Sequence, residues 1–186
     1  MKSYLLLSIC LVGLFMQAQT RHVEDLSSGI QTGLLGLWVY AEKGISRQEV
    51  LRGEVGFANA TSGDPFFRNS SLLLAPVFTA EPRWYFNLDK RFETSRTTKN
   101  NSGNFLSLKT SYYPYWYVIS SENRIRVASV LSLMPTWGFR RHLTKHLAFE
   151  TGIGLGDRYF FLENSNSVEN RASIAFHFQL RLGYTF

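Results

Sequence analysis

Cysteine occurs once among the 186 residues, at Cys10 inside an apolar N-terminal stretch. The rest of the chain therefore forms no disulfide, thiolate metal site or cysteine nucleophile. Long apolar runs are missing too: beyond Leu5 to Met16 nothing approaches the roughly 20 residues a membrane helix needs, and mean hydropathy is −0.11. Charge is sparse at 18% of residues with a net +6, below the roughly 25% of ordinary soluble domains. Helical periodicity and internal repeats are absent. These gaps exclude a helical membrane bundle and a disulfide scaffold. What is present, 45% apolar residues with 15 Phe, 9 Tyr and 4 Trp, excludes a disordered chain.

Lys2, the apolar stretch Leu5 to Met16 and the small Ala18 fit a secretory signal peptide cleaved after Ala18, because the run is too short to span a bilayer. Ile9 stands where a lipidation site at Cys10 would want a small residue. The expected plan is a signal peptide over 1–18, a short N-terminal segment over 19–28 and one domain over 29–186.

Past Ala18 the dominant signal is period-two alternation, the pattern of strands with two unlike faces. It is clearest at the end, where Ala172, Ile174, Phe176, Phe178, Leu180, Leu182, Tyr184 and Phe186 face away from Ser173, His177, Gln179 and Arg181. Similar runs cover 47–58, 72–88, 105–120, 125–140 and 147–161, and a less distinct one covers 30–40. Polar segments rich in Asn, Ser, Thr and Gly separate them at 59–70, 89–104 and 162–170.

Alternation fits two opposite architectures. A soluble barrel or sandwich turns its apolar face inward, whereas a transmembrane barrel turns it to lipid. Three features favour the second. Aromatics, including Trp38, Trp84, Trp116 and Trp137, sit near run ends, as interfacial girdles require. The polar faces carry Gly, Ser, Thr and isolated charges of both signs in place of a dense Lys and Glu coat. The last strand ends on Phe186, with Leu180, Leu182 and Tyr184 at alternate positions, a form that assembly machinery can read by adding the strand to a sheet edge. The expected fold is all-β: a transmembrane antiparallel up-and-down β-barrel of eight strands.

The stretches Gly33-Leu34-Leu35-Gly36-Leu37-Trp38, Glu81-Pro82-Arg83-Trp84-Tyr85-Phe86-Asn87-Leu88-Asp89-Lys90-Arg91 and Leu182-Gly183-Tyr184-Thr185-Phe186 resemble the small outer-membrane β-barrel proteins of Bacteroidetes-type bacteria. The resemblance implies an outer-membrane barrel and carries no assigned activity.

Even strand number and termini on the periplasmic side conflict with the seven runs counted. Either 105–120 splits near Pro114 into two strands, or 20–28 supplies another. The split is favoured, because it places the long 89–104 loop outside the cell. There its Lys90, Arg91, Arg96 and Lys99 could meet lipopolysaccharide phosphates.

An eight-stranded barrel is filled by side chains. The inward candidates are Arg52, Glu54, Glu81, Arg83, Lys109, Arg126, Glu150, Arg158 and Arg181, expected to form an ion-pair network centred on the three glutamates. Other chemistry finds little support. His142 and His146 flank a turn without further metal ligands. Inward His177, with Ser173 and Glu150, echoes the Ser-His-Glu set of lipid A deacylases, but Gln179 occupies the position where those enzymes pair His with Ser. Gly152, Gly154 and Gly156 precede no helix, so they make room for bulky neighbours and hold no phosphate. The expectation is a non-enzymatic protein of the outer membrane without cofactor, structural, membrane-stabilising or adhesive through its loops. Its expected partners are outer-membrane lipid, lipopolysaccharide and the barrel-assembly machinery, with no nucleic acid. An outer-leaflet lipid-modifying enzyme and an accessory subunit of a secretion or nutrient-uptake complex are the alternatives.

Overall fold

The computed structural model describes residues 23–34, 36–59, 73–114, 119–120, 129–161 and 171–186. Its strands are β1 (Leu26–Gly33), β2 (Gly36–Gly44), β3 (Glu49–Asn59), β4 (Leu73–Trp84), β5 (Asn104–Tyr113), the two-residue β6 (Ile119–Ser120), β7 (Ser129–His142), β8 (Leu147–Phe161) and β9 (Arg171–Thr185). Neighbours pair antiparallel in the order β3-β2-β1-β9-β8-β7-β5-β4, and a β3–β4 ladder closes the ring. The result is an eight-stranded up-and-down barrel. Closure joins the two edges that an open sheet would expose. First and last strands meet along Gly29↔Thr185 to Gly33↔Arg181.

Neither expected route to eight strands is followed. The 105–120 run stays one stave: β5 and β6 pair with the same edge of β4, through Phe78↔Tyr112 and Leu74↔Ile119. The missing strand comes from the 30–40 run, which folds back on itself so that Gly33 pairs with Gly36. Only positions 34 and 35, both leucine, separate the two glycines in sequence, and leucine is not a turn-forming residue type. Gly36 is demanded by close approach: a Cβ there would stand 2.9 Å from Ala58 Cα and 3.0 Å from Trp38. The barrel also begins earlier than expected, since Leu26, Ser27 and Ser28 of the 19–28 segment belong to β1. The expected signal peptide lies outside the described residues.

This count decides which end each connection occupies. The start of β1 and the end of β9 share one end with the short turns 45–48 and 143–146 and with the 85–103 connection. The 89–104 loop therefore lies at the terminal end, a correction to its favoured placement on the far side. The β3–β4, β5–β7 and β8–β9 connections leave from the opposite end.

The 85–103 connection is folded. It contains the one-turn helix α1 (Leu88–Glu93) and a 3-10 turn at Lys99–Asn101. Its Tyr85 and Leu88 pack with Val23, Val50 and Phe105 in the only all-apolar cluster at that mouth among the described residues. Tyr85 meets the Phe105 ring edge-on at 5.6 Å. Asn87 Oδ1 accepts from Asn104 N at 2.7 Å, and Tyr85 N donates to Gln48 O at 2.8 Å, so the connection plugs the mouth it crosses.

Candidate functional site: the barrel interior

Parity along each strand sends one face inward, and those faces are polar. Glu42 on β2, Arg52 and Glu54 on β3, Glu81 and Arg83 on β4, Lys109 on β5, Arg140 on β7, Glu150 on β8 and Arg181 on β9 are all buried. They converge because strands that are distant in sequence face one another across the closed ring.

Glu150 is the hub. Its Oε1 accepts from Arg83 Nη2 at 2.8 Å and Gln179 Nε2 at 3.1 Å; its Oε2 accepts from Arg140 Nη2 at 2.7 Å and Nε at 2.9 Å. Glu42 accepts from Arg52 Nη1 at 2.7 Å, Arg140 Nη1 at 3.0 Å and the plug's Asn101 Nδ2 at 2.8 Å. Glu54 joins Arg52 Nε at 2.5 Å and Arg181 Nη1 at 2.7 Å. Glu81 takes Arg83 Nη2 at 2.9 Å and the Ser107 hydroxyl at 2.6 Å. Buried charges are tolerable only when compensated in this way.

Aromatic rings complete the solvation of the guanidinium faces. Arg52 lies 4.0 Å over Tyr40, Arg83 4.2 Å over Phe105 and Arg181 4.0 Å over Trp38, the stacked arrangement arginine favours. In the plugged mouth, burial pushes the Tyr85 phenol above its ordinary range. It therefore stays a neutral group beside Glu42, 3.4 Å away.

Of the nine residues expected in this network, the structure brings together Arg52, Glu54, Glu81, Arg83, Lys109, Glu150 and Arg181. Arg158 stands apart in the wall of a cavity further along the barrel, and Arg126 lies outside the described residues. Glu42 and Arg140 are members that sequence reasoning missed. Glu42 shares parity with Trp38 and Tyr40 but lies beyond the end of the 30–40 run, and Arg140 stands at the very end of the 125–140 run.

The aromatic expectations divide, and Trp116 lies outside the described residues. Trp84 and Trp137 point outward with Phe86, Phe139, Phe149, Tyr184 and Phe186 in a belt near the terminal end, linked by contacts such as Trp84–Phe86 at 5.9 Å and Trp137–Phe139 at 6.5 Å. Leu180 and Leu182 also face outward. Trp38 does not belong to a girdle: it is 8% exposed and points inward. The early turn at 34–35 sets β2's parity, and Gly56 across the ladder leaves space for the indole. A Cβ on Gly56 would sit 2.6 Å from Trp38 Cδ1. Gly56→Ala should therefore lower stability by about 1–3 kcal/mol, read as a lower urea midpoint with unchanged slope.

The Ser-His-Glu set is not assembled. Nε2 of His177 lies 3.3 Å from Gln179 Oε1, the Ser173 hydroxyl bonds to Ile174 O, and both Glu150 oxygens are taken by cations and amides. Among the described residues no three His, Cys, Asp or Glu side chains could hold a metal ion. No family model, curated protein or solved structure matches this chain.

Proposed function

We propose that this chain is an outer-membrane β-barrel protein of the small Bacteroidetes type, with a sealed interior that serves as a structural strut and long connections that present its functional surface. One observation carries the reading: burial is inverted. Arg52, Arg83, Arg140, Glu42, Glu81 and Glu150 are at most 1% exposed, while Leu37, Val55, Ile153, Leu155, Ile174 and Phe176 lie on the outside, Ile174 at 77%. An apolar girdle that encircles the whole molecule would aggregate in water; in a bilayer it is solvated. Strands β2 to β5 and β7 to β9 have 9 to 15 residues, enough for tilted strands to cross the hydrocarbon core, which takes about 9–11. The aromatic belt supplies an interfacial anchor.

At the terminal end the turns 45–48 and 143–146 are short and the long 85–103 connection folds back over the mouth, while three of the four far-side connections are long; this suits a barrel whose termini face the periplasm. In that orientation the 85–103 plug faces the periplasm and leaves the three long far-side connections to meet lipopolysaccharide, surfaces or partner proteins. The ion network and the plug obstruct the lumen, which favours a structural or adhesive role over conduction. The outward Leu180, Leu182, Tyr184 and Phe186 suit recognition by barrel-assembly machinery.

Heat-modifiable migration tests the proposal. Refolded protein left unheated in dodecyl sulfate should run ahead of the boiled sample and fractionate with outer membranes. Identical migration, or recovery in the soluble fraction, would overturn it.

A further inference from the structure

Among the described residues the charges of the interior do not balance, and the imbalance is localised. Arg52, Arg83 and Arg140 are matched by Glu42, Glu81 and Glu150 through contacts of 2.7 to 3.0 Å. Glu54 is matched by Arg181 at 2.7 Å. Lys109 has the loosest ion pair: the Glu54 Oε2 that faces it is 3.8 Å away and makes no hydrogen bond among the described residues, and its close partner is the neutral Gln179 Oε1 at 3.1 Å. Arg181 Nε is buried without a hydrogen-bond partner among the described residues.

Lys109 and Arg181 border a cavity of about 50 Å³ on the side of the network away from the plug. Arg158 and His177 also line it, together with the hydroxyl-bearing Thr79, Ser111, Tyr113 and Ser132; among the described residues no carboxylate does. Thr79 and Ser111 are already hydrogen-bonded at 2.8 Å, which fixes their hydroxyls in place. A wall that carries Lys109, Arg158 and Arg181 with several hydroxyls beside the apolar Trp38, Val77 and Met134 holds more positive than negative charge among the described residues and is complementary to a small anion. An unpaired buried charge is costly, and a bound counter-ion removes that cost.

We propose that this cavity is an anion site that takes one small inorganic anion, a halide or an oxyanion of sulfate or phosphate size, held by Lys109, Arg158 and Arg181. The space admits nothing as large as a nucleotide or a sugar. The anion completes the interior's charge balance, so occupancy raises barrel stability with the logarithm of anion concentration.

The experiment is isothermal titration of the full refolded chain in detergent with sodium sulfate, sodium phosphate and sodium chloride, each at constant ionic strength set with the bulky gluconate anion. At least one of the three should bind saturably at one per chain, and the ranking identifies the natural class. Lys109→Met should weaken binding tenfold or more, since a hydrogen bond to a charged group contributes about 1.5–3 kcal/mol, while Lys109→Arg should retain it. Arg158→Gln lies outside the ion network and makes the same test should Lys109→Met refold poorly. Absence of saturable heat with all three anions would overturn the site. So would equal affinity in the wild type and Arg158→Gln, because the binding would then lie elsewhere on the surface.

Discussion

Glu150→Ala should destabilise the barrel by about 3–5 kcal/mol, the range for removing one partner from a buried ion pair. The side chain accepts hydrogen bonds from Arg83, Arg140, Gln179 and Gln31 and lies 3.7 Å from Arg52 Nη1. Truncation leaves three guanidiniums to share Glu42 and Glu81 in an interior already rich in positive charge, and it opens a gap at the centre of the network. Lys109→Met should cost less than half as much, because it removes the cation with the weakest carboxylate contact, 3.8 Å, and replaces it with a chain of similar volume. The two variants differ in sign of charge removed, so their ranking tests the imbalance and the hub together. Urea titration of the folded fraction, read from cold electrophoresis, measures both. A Glu150→Ala midpoint equivalent to less than about 1 kcal/mol of loss would show that the network is not what holds the interior.

Leu155→Arg separates lipid from water as the solvent of the outer face. Leu155 is 61% exposed and lies near the middle of β8, between Phe149 in the belt and Tyr159 beyond. On a water-facing sheet the change would be close to neutral, as surface substitutions usually are. At the midplane of a bilayer an arginine costs about 2–4 kcal/mol, so refolding into phosphatidylcholine vesicles should be impaired by that amount. Leu143→Arg in the turn at the terminal end is the control: the residue is comparably exposed, at 58%, yet lies at the end of the barrel beyond the belt, and should fold as the wild type does. Equal folding of Leu155→Arg and wild type in vesicles would rule out lipid contact at that position.

Much of this architecture is legible from residue order. Alternation over 147–161 and 172–186 marks both faces of β8 and β9, and their inward and outward sides follow from the charges and aromatics alone. Arg52, Glu54, Glu81, Arg83, Lys109, Glu150 and Arg181 were all identifiable as interior groups, because each falls on the polar parity of a clear run. The failures share a cause. Between the paired Gly33 and Gly36 the sequence holds two leucines and no proline or asparagine, so the 30–40 run reads as a single strand. That one missed turn hides the parity of β2, which sends Trp38 inward and adds Glu42 to the network, and it misplaces the 89–104 loop at the wrong end.

The sequence by itself determined an all-β chain with one apolar and one polar face per strand, since a period of two is a local property that each strand expresses alone. It also determined that the polar faces hold charges in need of partners. Only the tertiary structure decided how many staves close the ring, which connections share an end, and which carboxylate meets which cation. Those depend on register between strands as distant in sequence as β1 and β9, where Gly29 lies opposite Thr185. A ladder formed across that separation sets the position of every side chain inside the barrel, and no local pattern encodes it.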